Sequence, residues 1–158
     1  RVWCIGRAHS PAREQRYEKA ANGNARLTNH RFMKSFYLSV ACALGFAGVA
    51  LGAFGAHALA SVVTPPRLAT WATAIDYHMF HTLVILALLG LFKDEPNVWL
   101  TRALRTFVAG IVIFSGSLYA LVLTDIAILG AITPLGGLLF LAGWFCSLMA
   151  ARERAVNE

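Results

Sequence analysis

SFYLSVACALGFAGVALGAFGAHAL, residues 35–59, carries no Asp, Glu, Lys or Arg. A helix needs ~20 mostly apolar residues to cross a ~30 Å hydrocarbon core, and this run is longer than that. Inside it, Gly45, Gly48, Gly52 and Gly55 follow the spacing i, i+3, i+7, i+10. A helical period puts these four on one face. Gly48 and Gly52 form a small-xxx-small pair, through which a second backbone can approach closely in lipid. The stretch also imitates a signal peptide, with Lys34 before it and Ala58-Leu59-Ala60 as a cleavage site. Its length exceeds the ~7–15 residues of a signal-peptide core, and three more apolar runs follow, so it reads as a span.

Those runs predict helices over about 66–92, 99–124 and 132–151. Pro65-Pro66 suits a helical first turn, and Trp71 falls where an interfacial aromatic belongs. Lys93-Asp94-Glu95-Pro96-Asn97 is the charged turn before the third helix. Asp125 to Ala131 reads as a brief turn, and Thr133-Pro134 as N-cap and N1 of the fourth helix. Hydrophobic residues make up 58% of the chain and charged residues 14%, against ~45–50% and ~25% in soluble domains. The predicted fold is an all-α membrane protein, a four-transmembrane-helix antiparallel bundle. It forms one domain over 33–151, with a short tail at 152–158.

The net charge of +6 suggests nucleic acid until it is located. Residues 1–32 hold seven Lys/Arg and two acids, whereas 33–158 hold seven basic and six acidic residues. No basic face interleaved with aromatics tracks a phosphate backbone, so no nucleic-acid partner is expected. Three readings fit residues 1–32: sequence upstream of a true start at Met33, a disordered cytoplasmic tail, or an Arg-rich transit peptide. Each leaves the segment outside the fold. Eight basic residues lie in 1–34, three at the second turn (Lys93, Arg102, Arg105) and two at the C-terminus, against Arg67 alone on the other side. That asymmetry predicts cytoplasmic termini.

Cys4, Cys42 and Cys146 form no C-x-x-C pair and imply neither a disulfide framework nor a zinc site. No nucleophile–base pair, phosphate loop or paired catalytic carboxylates is recognisable, so no enzyme is expected. Ser115-Gly116-Ser117 lies inside a helix and is not a nucleophile elbow. Ionisable residues within spans are functional candidates by default; here they are His57, Asp76, His78 and His81. With ~1.5 Å of rise per residue, His57 and His81 differ in depth by ~16 Å and cannot share a metal ion. His78 and His81 at i, i+3 lack the further ligands of a closed site. No metal or other cofactor is expected.

Depth groups the remaining polar side chains into two layers. An outer one holds His57, Tyr77, Tyr119 and Thr133. A deeper one holds His81, Ser115, Ser117 and the glycines near Gly48. Interhelical hydrogen bonding and a small polar pocket or proton path both fit them. Asp76 reads as a solvated or headgroup-level charge. His81 is expected to be neutral, because a mid-bilayer charge costs several kcal/mol. It is expected to bond to Ser115, Ser117 or a carbonyl near Gly48.

Four stretches together resemble one family. They are Gly52-Ala53-Phe54-Gly55-Ala56-His57-Ala58-Leu59; Trp71-Ala72-Thr73-Ala74 with Tyr77 and His81; Phe114-Ser115-Gly116-Ser117-Leu118-Tyr119; and Leu129 to Gly137 through Gly143-Trp144. The chain from about Met33 to Ala150 is similar to the YgdD and transmembrane protein 256 family, domain of unknown function 423. The resemblance implies a four-helix protein of the bacterial inner membrane, with the mitochondrial inner membrane as the alternative. It also supports Met33 as the start. It implies no activity. Its characteristic positions fall on His57, Tyr77, His81, Ser115, Ser117, Tyr119, Thr133 and Pro134, while His78 (Gln in the pattern) and Asp76 depart from it. The expected role is a structural or accessory subunit in contact with the lipid bilayer, as a homo-oligomer or in a larger membrane complex. The alternative is an oligomeric transporter of small solutes, protons or metals.

Overall fold

A computed structural model describes residues 11–92 and 97–157. The expected turn at Lys93 to Pro96, Cys4 and the first ten residues of the leader lie outside that range. Among the described residues, four helices are long and apolar enough to cross a membrane. The first, α1, runs Pro11–Phe54 and closes with a π-helical turn, Gly55–Leu59. The second, α2, spans Pro65–Leu91 with proline in its first turn and an extended Thr64 before it. The third, α3, covers Val98–Thr124 and contains a π-helical turn at Ile111–Ser115. The fourth, α4, spans Ile128–Asn157. The described residues contain no strand.

Two boundaries differ from the sequence expectation. Residues from Pro11 onward are helical rather than irregular, and the side chains of His30 and Tyr37 are buried. Gln15, Arg16, Glu18, Lys19 and Ala21 are strong helix formers. Extending an existing helix adds one bond per residue without a nucleation cost, so the spanning segment supplies the nucleus that the leader lacks. Apolar periodicity, the signal used on the sequence, is blind to this. At the other end, α4 begins at Ile128 and Pro134 lies inside it, so Thr133-Pro134 is not a helix start. Proline is tolerated inside membrane helices where side chains re-satisfy the backbone. The Thr133 hydroxyl lies 3.4 Å from the Leu129 carbonyl one turn back, whereas the carbonyl that Pro134 leaves without an amide donor is that of Gly130.

The helices pack as antiparallel neighbours, and the contacts fix their register. On α1, Gly45, Gly48, Gly52 and Gly55 face Thr82, Met79, Ile75 and Trp71 of α2 in that order. Between α3 and α4, Gly110 lies under Phe140 and Gly143 under Phe107, so that a Cβ on either would come within 2.6 Å of the ring. In lipid no hydrophobic force drives helix against helix, and such close van der Waals fits are the main source of stability. Ile85, Leu100, Leu104, Phe107, Phe140 and Ala150 make the largest core cluster, near the end that carries Arg102, Arg105 and Arg154. Here the Asn97 side chain caps α3 by accepting from Leu100 N–H at 2.9 Å, and Arg154 donates to the Leu91 carbonyl at 2.7 Å. At the opposite end Arg67 pairs with Asp125, which closes α3 in the left-handed conformation (φ 58°). That pair is exposed and worth at most ~1 kcal/mol, but it ties the start of α2 to the α3–α4 turn.

Candidate functional site

The predicted polar layers are rearranged into three groups. His81, 3% exposed, does not reach Ser115, Ser117 or the backbone at Gly48. Its Nδ1 lies 2.9 Å from the Tyr77 carbonyl one turn back. A carbonyl only accepts, so Nδ1 donates this bond. The imidazole lies flat on Phe140, centroids 3.6 Å apart and planes at 6°, with Phe107 at 5.5 Å. Tyr77, expected in the outer layer, joins this column by stacking on Phe114 at 4.4 Å. The intrahelical bond satisfies His81 without a partner helix, and the stacked rings hold its plane away from the serines.

The second group centres on His78, which is 4% exposed. His78 Nδ1 lies 3.2 Å from the Tyr119 hydroxyl, linking α2 to α3. Its Nε2 is buried and has no hydrogen-bond partner among the described residues. Tyr119 packs at 4.7 Å on Trp71. Trp71 is 2% exposed and donates its indole N–H to the Leu51 carbonyl at 3.0 Å. Trp71 is therefore a buried clamp between α1, α2 and α3 rather than an interfacial anchor. It fits there because Gly55 has no side chain: a Cβ on Gly55 would meet the indole at 2.5 Å.

The third group joins α3 to α4. Ser117 and Thr133 hydroxyls lie 2.8 Å apart, and Ser117 is also 2.9 Å from the Phe114 carbonyl. Each hydroxyl has one proton. If Ser117 donates to Phe114, Thr133 donates to Ser117, which leaves the longer Leu129 contact unsupported. His57 is exposed in its π-helical turn and joins none of the three groups. Ser115 is fully buried, and its Oγ has no hydrogen-bond partner. Both residues were placed by depth, but a π-helical turn widens the helix by one residue and rotates the residues beyond it. Depth survives that rotation; facing direction does not. Among the described residues no group of three His, Cys, Asp or Glu lies close enough to hold a metal ion.

Sequence reasoning missed the aromatic scaffold. Phe107, Phe114 and Phe140 carry no polar or charged signal that sets them apart in the sequence. The signal available was the glycine placed against each: Gly143, Gly136 and Gly110. Asp76 is exposed on the outer face of α2. It sits eleven residues into α2, ~16 Å along the axis. A 27-residue helix is ~40 Å long and overhangs a ~30 Å core by ~5 Å at each end. Centred without tilt on such a core, the helix would carry Asp76 ~11 Å inside the hydrocarbon edge.

The family model described as "Protein of unknown function (DUF423)" matches residues 51–137. The UPF0382 inner membrane protein YgdD of Escherichia coli is 40% identical over 116 residues, covering 73% of this chain and 88% of the relative. The UPF0382 membrane protein YwdK of Bacillus subtilis is 45% identical over 104 residues, 65% of this chain and 85% of its own length. A UPF0382 membrane protein of Haemophilus influenzae is 42% identical over 112 residues, with 71% and 90% covered. No solved structure matches.

Proposed function

The chain belongs to the DUF423 family of multi-pass bacterial inner-membrane proteins, and from that premise we propose that it is an accessory subunit, docking other membrane proteins through the outer face of α2. The observation that carries this is the environment of Asp76. Ionisable residues at this depth almost always face a bundle interior or a wet cavity, yet Asp76 points away from the bundle. Exposed Ala69, Ala72 and Thr73 surround it on the same face, with Phe80 and Leu83 below. Small residues at a spacing of four admit a close backbone, and the carboxyl supplies a polar contact that lipid tails cannot satisfy. The three internal polar groups support the same reading, since their hydrogen bonds and ring contacts join the helices to one another.

Asp76→Leu tests it. The variant should insert and melt at the wild-type temperature or above, because an uncompensated polar group leaves the lipid boundary. It should also lose any partner, or second copy, that co-purifies in mild detergent. Unchanged co-purification would contradict the docking role.

We further infer that both termini are cytoplasmic, the reading supported by the basic asymmetry. Cysteine placed at Ser61 should be labelled from outside intact cells, and cysteine at Asn97 should not. The reverse pattern would overturn this orientation.

One observation favours the transporter reading instead. Ser115 combines a buried unpartnered hydroxyl with a π-helical turn, a feature frequent at functional sites. On that reading purified protein in liposomes conducts a small solute, proton or metal ion, and Ser115→Ala abolishes the flux while preserving the fold.

A further inference from the structure

A groove runs between α1 and α3. It consists of two hollows, of about 440 Å³ and 380 Å³, both within the range of small-ligand sites. Phe36, Tyr37 and Arg105 line both hollows, so the two form one continuous channel along the helices. The hollow nearer the start of α3 adds Asn29, Asn97 and Thr101. The deeper one adds Val40, Val108 and Val112 and is almost wholly apolar. Phe36 and Val112 are 54% and 62% exposed, so the channel opens sideways into the bilayer rather than upward into water.

We propose that this groove binds an anionic phospholipid, with its phosphate at Arg105 and one acyl chain along Val108 and Val112. Three observations select that occupant. The first is polarity: the channel passes from polar to apolar in the direction that a lipid of the adjacent leaflet runs. The second is depth. Arg105 lies seven residues into α3, ~10 Å along the axis and so ~5 Å beneath the hydrocarbon edge by the same overhang. Arg105 lines the groove, and from that depth a long basic side chain can reach phosphate level with its stem against apolar surface. The third is charge: Arg105 is exposed and makes no ion pair among the described residues. Neighbouring Arg102, by contrast, is stacked on Trp99 at 4.7 Å. Basic pockets between membrane helices are recognised sites for anionic headgroups. The site is separate from the outer face of α2, and its failure would leave the docking role untouched.

Native mass spectrometry of the full chain in mild detergent tests the proposal, with phosphatidylglycerol and phosphatidylcholine as probes. Wild type should retain phosphatidylglycerol preferentially. Arg105→Gln should lower that retention about fivefold, the factor expected for one basic side chain at an anionic surface, and leave phosphatidylcholine unchanged. Arg105→Lys should keep the preference, as should Arg102→Gln. Val112→Trp, which fills the apolar end, should lower retention of both lipids, with melting temperature as the check on folding. Excess inorganic phosphate should not displace the lipid, because it gains nothing from the apolar half. Equal retention of the two lipids by wild type, undiminished phosphatidylglycerol on Arg105→Gln, or displacement by phosphate would each overturn the assignment.

Discussion

Gly136→Ala should be among the most damaging single-methyl additions in this chain, and Gly137→Ala beside it should be harmless. A Cβ on Gly136 would overlap the backbone nitrogen and Cα of Phe114, whereas one on Gly137 would meet nothing within 4 Å. A flexible side chain can move aside, but a backbone cannot unless the two helices separate. Overpacking of a tight interface costs ~1–3 kcal/mol. Here it would also pull Thr133 from Ser117 and unstack the Phe114 column, so the upper end of that range is expected. Gly137→Ala should be neutral or slightly stabilising, since alanine is the better helix former by ~1 kcal/mol. Thermal melting of both variants in the same detergent checks the contrast. Equal melting temperatures would show that α3 and α4 are not in contact there.

Replacing His81 by alanine should be the second large effect. The ring is buried and sandwiched against Phe140 and Phe107, and truncating a buried ring leaves a cavity at a cost of ~2–4 kcal/mol. His81→Phe should restore most of that loss. It keeps the stack and forfeits only the bond to the Tyr77 carbonyl, worth ~1 kcal/mol net. His81→Gln should be nearly as damaging as alanine, because a small amide on a flexible stem covers far less of Phe140 than the rigid ring does. Had His81 bonded across helices to a serine, glutamine would have been the mild replacement and phenylalanine the severe one. The order of the three melting temperatures therefore separates a stacking role from a hydrogen-bonding one.

Much of the fold was legible because the bilayer imposes a length that composition reveals. The second and third helices begin and end within about a residue of where apolar runs and prolines put them. The same logic failed at Pro134, where a rule drawn from helix starts met a proline that a membrane helix accommodates. It failed again at Pro11 to Phe32, where propensity and an adjoining helix outweigh the lack of an apolar face. The glycine spacing in α1 showed which face packs, because contact through small residues leaves a periodic trace. The polar groups were only half legible. Ser117 with Thr133 and His78 with Tyr119 need azimuth as well as depth, and the π-helical turns at Gly55–Leu59 and Ile111–Ser115 reset azimuth with no local sequence mark. Tyr77 and His81 share a column because Phe140 of α4 reaches α2, a contact between distant parts of the chain that one sequence does not encode at any single position.

The proposed docking role requires the outer face of α2 to be covered by protein in the membrane. Photo-crosslinking amino acids placed singly at Ala72, Thr73 and Asp76, and at Leu138 and Leu141 on the exposed side of α4, test it in intact cells. The α2 positions should yield discrete protein adducts of higher mass, and the α4 positions lipid adducts alone. Lipid adducts alone at all five positions would contradict it.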